Sequence, residues 1–435
     1  MKVAFYLENK DIQNVDFSHP ELGNPGCGGT QFLFAATPYY LKKYFDSSYE
    51  VFILSNNINY LPRNINSFKV ENIFEAAKLA KEIQCDFFIY RSRINTEFEI
   101  VELIDNLELS SIAWCHVGIS SKYLSMMAKS KFLKKLVCVE HEQYDQIQDS
   151  LLAIQGRVTY IPNGFDINWS KSNESTIKDE KLVVYVGALV PVKGFHILAK
   201  IWPSIIEKVP SAKLYVIGSG DLYNQKSKLG SWGLADKSYE NNHIIPHLSD
   251  ENGLKIKSVK FLGKLGHEKK YFMEKALIGI VNPSGASENC PGSALEFSSL
   301  ETAVISGAYH GMLDTVRHGF SGLLGKSEKD LINNIVFLLS DPQYAKRLGK
   351  NGKKYVLERY NWESIINQWD YLFNALKFKN KMPRIPFKKN VLYNQKIFIK
   401  INRIFQFCFG RLFEWPTIVY LKSYIRNIFV KKLFK

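Results

Sequence analysis

Residues 182–194 read LVVYVGALVPVKG. Five apolar residues in succession leave no polar stripe, so the segment reads as a strand buried on both faces. Glycine ends it, and Lys193-Gly194 opens the helical pattern of Phe195–Lys208. The same run recurs in KLYVIG (213–218), VKFLG (259–263) and IGIVNPS (278–284). An earlier series holds VAFYL (3–7), VFILS (51–55), DFFIY (86–90), SIAWC (111–115) and LVCVE (136–140), with helix-like segments such as Asn72–Ile83 between them. Apolar strands alternating with helices predict parallel sheets covered on both faces, and two series predict two doubly wound α/β domains. The break falls after IPNGFD (161–166), where Asn163-Gly164 signals a turn and SKSNESTIKDE (170–180) is linker-like. The expected organisation is a first domain at 1–166, a second at 178–360, a helix at 361–376 packing back towards the first, and a tail at 377–435.

The chain has 435 residues, 46% hydrophobic and 23% charged, which excludes a mainly disordered protein and fits two cores. Six cysteines (27, 85, 115, 138, 290, 408) form no CxxC pair, so a disulfide scaffold or a structural zinc is not expected and a reducing compartment is. MKVAFYLENKD at the start has too short an apolar run for a signal peptide, and no stretch approaches the roughly 18 apolar residues of a membrane span. The expected location is therefore cytoplasmic. Net charge is +15, but 377–435 carries 15 Lys/Arg against Glu414 alone, leaving +1 for the other residues. The body is near neutral, and the charge of the tail points to a polyanionic surface partner. The chain lacks Asp-x-Asp, GxxxxGK[ST], GxSxG and HExxH, so no metal and no cofactor are expected.

In an open parallel sheet, ligands bind beyond the carboxyl ends of the strands. Four groups of residues stand there. Gly23-Asn-Pro-Gly26-Cys-Gly28-Gly29-Thr30-Gln31 leads into a helix and could cradle a phosphate, or be a plain loop capped by Thr30. Gly187 and Lys193 follow the strand quoted first; Lys193 could be a point charge on a diphosphate, or a solvated cap lysine. Pro283-Ser-Gly-Ala-Ser-Glu288-Asn289-Cys290-Pro291-Gly292-Ser-Ala-Leu-Glu296 sets two carboxylates eight positions apart across a turn. Its backbone N–H groups could meet an anion while the carboxylates take sugar hydroxyls; an ordinary strand–turn–helix is the plain alternative. His116 follows SIAWC directly, and a lone His there is more often structural than catalytic. Arg91 and Arg93 follow DFFIY and could meet an anionic group or stay solvated. His310 and His318 receive no role.

In this order, the segments resemble the retaining glycosyltransferases of family 4, with the GT-B architecture, over residues 1–376. The resemblance is strongest in VYVGALVPVKG, KLYVIGSGDL, VKFLGKLG, IGIVNPS and SENCPGSALE, where Glu288 and Glu296 match the E-x7-E signature. It implies two Rossmann-like domains facing a cleft, with a nucleotide-sugar donor held by the second and a saccharide acceptor by the first. It places Glu296 on the ribose, Glu288 on the donor sugar hydroxyls, and Lys193 on the diphosphate. Gly28 and Gly29 would close over the phosphates, Lys264 and Leu265 would contact the base, and His116 would lie near the reacting sugar. Gly187, Asn289, Cys290 and Gly292 complete the implied donor site, and Arg91 and Arg93 face the acceptor. Two departures stand out: Ala188 replaces a frequent Arg, and Glu301 adds a carboxylate to a run that is usually alanine-rich. The segment Leu222–Lys257 is longer than the family minimum.

The implied reaction is metal-independent transfer of a hexosyl or N-acetylhexosaminyl group from a UDP- or GDP-sugar with retention. The tail adds a further expectation. Lys396, Lys400, Arg403 and Arg411 share one helical stripe beside Ile397, Ile401, Ile404, Phe405, Cys408 and Leu412. After Trp415-Pro416, Lys422 and Arg426 face Leu421, Ile425, Ile428 and Phe429. Both halves fit helices lying in an anionic membrane interface, so the acceptor is expected to be a lipid-linked saccharide of the surface-polysaccharide or lipopolysaccharide type. Rival readings are helices packed on the body, a GT-B sugar-nucleotide epimerase, and a non-enzymatic protein binding polyanions through the tail. The neutral body argues against nucleic acid as partner.

Overall fold

The computed structural model describes residues 1–92, 97–148, 154, 156–170, 176–222, 228–285, 288–383, 385, 401, 404, 405, 408 and 409. Arg93 and the cations of the expected tail helices lie outside them, as do Trp415 and the whole second tail segment. The described tail residues Ile401, Ile404, Phe405, Cys408 and Phe409 are helical and exposed.

The described residues form two parallel sheets. The first contains β1 (Lys2–Leu7), β2 (Glu50–Ser55), β3 (Asn66–Lys69), β4 (Phe87–Arg91), β5 (Ser111–Cys115), β6 (Leu133–Cys138) and β7 (Val158–Tyr160). Their spatial order is β3-β2-β1-β4-β5-β6-β7. The connecting helices are α1 (Gly29–Tyr44), α2 (Ile73–Glu82), α3 (Glu97–Asn106), α4 (Ser121–Lys129) and α5 (His141–Gln148). Helix α1 runs through Pro38, and α2 starts where Asn72 accepts from the N–H groups of Phe74 and Glu75, both at 3.0 Å. β5 is buried along its whole length, as a strand covered on both faces must be.

The second sheet contains β8 (Asp179–Val186), β9 (Lys213–Ile217), β10 (Val259–Gly263), β11 (Ala276–Ile280), β12 (Ala303–Gly307) and β13 (Gly322–Gly325), in the order β10-β9-β8-β11-β12-β13. Its helices are α6 (Phe195–Lys208), α7 (Lys237–His243), α8 (Ile245–Leu248), α9 (Lys269–Lys275), α10 (Gly292–Ser299), α11 (Met312–Thr315), α12 (Glu328–Ser340) and α13 (Pro342–Arg359). Val183, Tyr185, Phe195, Trp202, Leu214 and Ile278 anchor one core here. Each such buried large side chain contributes about 1.5–3 kcal/mol.

The chain divides into two compact units. One comprises Met1–Gln13, Thr37–Pro162 and Ile366–Lys435; the other comprises Asn14–Ala36 and Asn163–Ile365. This corrects the expected 1–166 boundary, because Asn14–Ala36, with its glycine-rich loop, sorts with the second sheet. The reason is close packing: a Cβ on Gly23 would stand 3.1 Å from the Trp169 ring, and one on Gly26 would stand 3.4 Å from the Leu265 carbonyl. The last described long helix, α14 (Trp362–Lys377), falls from Ile366 onward in the first unit. There Trp369 meets Trp114 with ring centroids 5.0 Å apart, Phe373 stacks on Phe87 at 5.6 Å, and Asp370 accepts from the Tyr49 hydroxyl at 2.7 Å.

Two features left open by the sequence gain a structural account. Glu301, in a left-handed conformation after α10, pairs with Lys353 of α13 at 3.0 Å. In the 222–257 segment, fully buried Glu240 accepts from the N–H groups of Trp232, Leu234 and Ala235 at 2.6–3.1 Å. Next to it, the Tyr239 hydroxyl accepts from the His196 N–H at 3.0 Å, in the first turn of α6.

Candidate functional site

The order of the second sheet reverses at β8 and β11, and this switch point is where a doubly wound sheet opens a crevice. The loops leaving these strands carry the residues singled out in the sequence. After β8, Gly187 bonds through its N–H to Ile217, and a short 3-10 turn at Pro191–Lys193 ends on Gly194. Gly194 has φ 70°, and a Cβ there would lie 2.6 Å from the Ser284 nitrogen, so only glycine lets the two loops approach. The Tyr185 hydroxyl donates to the Lys193 carbonyl at 3.2 Å, fixing the backbone that carries the ammonium.

The Lys193 ammonium reaches Glu288 Oε1, and both side chains are largely buried. Glu288 is held in turn by its carbonyl, which accepts from the Gly311 N–H at 2.7 Å. Asn282, with φ 38°, ties the loops together: its amide donates to the Val192 carbonyl at 3.1 Å, and its oxygen accepts from the Ser284 hydroxyl at 2.6 Å. A non-glycine residue in this region costs energy, here offset by those bonds. The Asn163 amide donates to the Cys290 carbonyl at 3.0 Å. Pro291 precedes α10 and has no side chain able to cap it, so the Gly292 end keeps the anion-favouring character of a helix N-terminus.

Glu296 lies in α10, buried, and its Oε1 is 2.8 Å from the Lys269 ammonium of α9. That ammonium is also 5.5 Å from the Trp169 ring centroid. Lys264 pairs with Asp221 at 2.8 Å. Burial tends to raise the Asp221 carboxyl, but bonds from Lys264 and the Ser219 hydroxyl outweigh it and leave it below its ordinary value. The glycine-rich loop is shaped by Asn24, whose oxygen accepts from the Gly26 and Cys27 N–H groups at 2.9 Å. Cys27 is partly buried, and desolvation pushes its thiol up to about 12 and leaves it inert at neutral pH. Gly28 precedes α1, and Gly29 begins it with open space beside its Cα. Ala188 is buried and offers no charge.

In the first unit, His116 follows β5 and its ring lies 4.6 Å from that of Trp114. Arg91 ends β4 in register with Trp114. The Gln143 amide donates to the Val117 carbonyl at 2.7 Å and to Cys115 Sγ at 3.0 Å. Sequence reasoning did not pick out Lys269, Trp169, Asn24, Asn282 or Asp221. For Asn282, the signal was available: a polar residue interrupts the apolar run IGIV immediately before Pro283. Among the described residues, no group of three or more His, Cys, Asp or Glu could hold a metal ion.

The two-sheet architecture is that of GT-B glycosyltransferases. Residues 168–355 match the family described as glycosyl transferases group 1. An uncharacterized glycosyltransferase of Methanocaldococcus jannaschii is 27% identical over 55% of this chain and 57% of its own length. The capsular polysaccharide biosynthesis glycosyltransferase CapM of Staphylococcus aureus is 24% identical over 55% of this chain and 61% of its own. The chain thus spans little more than half the length of these relatives. Anabaena HepE in complex with UDP-glucose is similar in fold, with a TM-score of 0.61 and 17% identity over 86% of this chain and 100% of that one.

Proposed function

We propose that the protein transfers a sugar from a nucleoside diphosphate sugar to a saccharide acceptor, with retention and without a metal. The observation that carries this reading is the convergence of Lys193 and Glu288 at the switch point of the second sheet, with Glu296 in the helix that follows the Glu288 loop. Lys193 and the helix N-termini stabilise the charge that develops on the departing diphosphate. Glu288 accepts from hydroxyls of the donor sugar, and Glu296 from those of the ribose. The bond from the anomeric carbon to the phosphate oxygen breaks. The acceptor oxygen bonds to that carbon on the same face, and its proton passes to the leaving phosphate. Gly28 and Gly29 border the phosphates, Lys264 and Leu265 the base, and His116 the reacting sugar. The similarity to CapM, named for capsular polysaccharide biosynthesis, favours a surface polysaccharide as product.

The tail is assigned to an anionic membrane surface at the inner face of the cell membrane, which brings the enzyme to a lipid-linked acceptor. The described tail residues support this: Ile401, Ile404, Phe405, Cys408 and Phe409 follow helical spacing and are all exposed, within a segment of net charge +14. No helix among the described residues is long and apolar enough to cross a membrane. A thermal-shift screen of UDP- and GDP-sugars tests the donor site, since a ligand of the native state raises its melting temperature. Sugar-dependent release of nucleoside diphosphate only with added acceptor excludes the epimerase, and the anomeric configuration of the product, read by NMR, tests retention. Liposome co-sedimentation with and without 377–435 tests the tail; equal binding by the truncated protein, or retention of nucleic acid instead, would refute its assignment.

A further inference from the structure

Lys269 is a residue in an unfavourable place. It opens α9, where the helix dipole disfavours a cation, and its side chain is only 9% exposed. A buried ammonium is tolerated only when paired. Its partners here are Glu296 Oε1 at 2.8 Å and the face of Trp169 at 5.5 Å. Glu296 is equally enclosed, its side chain 8% exposed. The pair joins two helices, α9 after β10 and α10 after β11. A carboxylate offers about four lone-pair sites over two oxygens, and the ammonium occupies one of them. What remains is a carboxylate anchored at one oxygen with three sites to spare. That matches two neighbouring hydroxyls better than a freely rotating side chain would, because the ordering cost is met before the ligand arrives.

We infer that Lys269 is the positioning residue through which the site recognises a ribose: it holds Glu296 in the one orientation that accepts from both the 2′- and the 3′-hydroxyl. This inference rests on the donor-site reading above. Lys269 itself touches neither the diphosphate nor the sugar. Its loss therefore lowers the selectivity for ribose and leaves the rest of nucleotide binding in place.

The test is calorimetric binding of UDP and GDP, each against its 2′-deoxy and 3′-deoxy counterparts, to the full chain. The wild type should prefer the ribonucleotide by about 10-fold or more, since hydrogen bonds to a charged group carry the discrimination. In Lys269→Met, that preference should fall to within about threefold while affinity for the deoxy compounds stays unchanged; Lys269→Arg should restore most of it. A general structural defect would weaken all ligands alike and leave the ratio intact, which would overturn the inference. Should Lys269→Met fail to fold, Lys269→Gln, which offers a neutral donor on a shorter stem, is read in the same way. The double variant Lys269→Met with Glu296→Gln, a neutral pair, should fold and show no preference. If Glu296→Gln loses the preference and Lys269→Met keeps it, the role of Lys269 is wrong and the donor site stands. If Glu296→Gln keeps the wild-type ratio, the ribose assignment of Glu296 fails, and the inference fails with it.

Discussion

Both sheets reverse strand order once, at β1/β4 in the first and at β8/β11 in the second, yet the two switch points are furnished differently. In the second, the loops are locked by specific bonds. Tyr185 fixes the Lys193 carbonyl, Asn282 spans two loops, and the largely buried Lys193 and the buried Lys269 each hold a glutamate. In the first, the strand ends offer Arg91 and, one strand further on, His116 beside Trp114, with buried polar groups on α5 such as Gln143 and Asp145. The physical contrast is charge preorganised by ion pairs between neighbouring loops and helices in the second unit against polar and charged groups of the first that lack such a lysine–glutamate lock among the described residues.

The sharpest way to break the comparison is to damage the first unit alone. Trp369→Ala removes an indole packed on Trp114 and Phe373 and should cost about 3–5 kcal/mol of stability, read by denaturant unfolding. Nucleoside diphosphate affinity at low temperature should survive it; loss of both together would deny the second unit its independence. Next in size, Glu288→Ala should lower kcat by about 10²-fold, as loss of one transition-state contact does, with a smaller change in nucleotide affinity. Turnover at the wild-type rate would remove Glu288 from the site. His116→Ala should reduce kcat by about 10-fold or more with nucleotide affinity unchanged. A matching loss of stability would leave His116 a packing partner of Trp114.

Each unit also carries, outside these sites, a lysine drawn out of water: buried Lys135 in the first and partly buried Lys178 in the second. Burial, aided by Arg157, depresses Lys135 to about 8, and burial depresses Lys178 to about 8. The folded value lies below the ordinary 10.5, so between about pH 8 and 10.5 the unfolded chain binds more protons than the folded one. These two groups therefore make stability rise with pH through that window, and below pH 8 their burial penalty is fully present. Lys135→Met and Lys178→Met should each flatten the rise in denaturant midpoint measured from pH 8 to 10.5. An unchanged slope in both would mean that the lysines ionise as freely folded as unfolded. The smallest effect is Ser327→Ala, which breaks the capping box of α12, where Ser327 and Asp330 exchange bonds at 3.2 and 3.1 Å. It should cost about 1 kcal/mol and leave ligand binding untouched.

The sheets were legible because strands buried on both faces show as unbroken apolar runs, and the strand-end rule then led to Lys193 and Glu288. Lys269 was not legible: in His267-Glu268-Lys269-Lys270, a lysine reads as one more solvated charge, and its partner is 27 residues away. Asn24 was hidden within a glycine-rich turn. The sorting of Asn14–Ala36 with the second sheet depends on Trp169 and Leu265, which no local pattern connects to Gly23 and Gly26. Glu301 looked like a spare carboxylate because its partner Lys353 comes from a helix beyond two further strands.

On the proposed function, the loops after β8 and β11 form a nucleoside diphosphate site with Lys193 at the phosphates. Calorimetric titration of the full chain with UDP, GDP and ADP tests it most directly, wild type beside Lys193→Ala. At least one of them should bind saturably, about 10-fold or more weakly once the ammonium is lost. Binding of equal strength in both proteins, or of none of the three to the wild type, would contradict it.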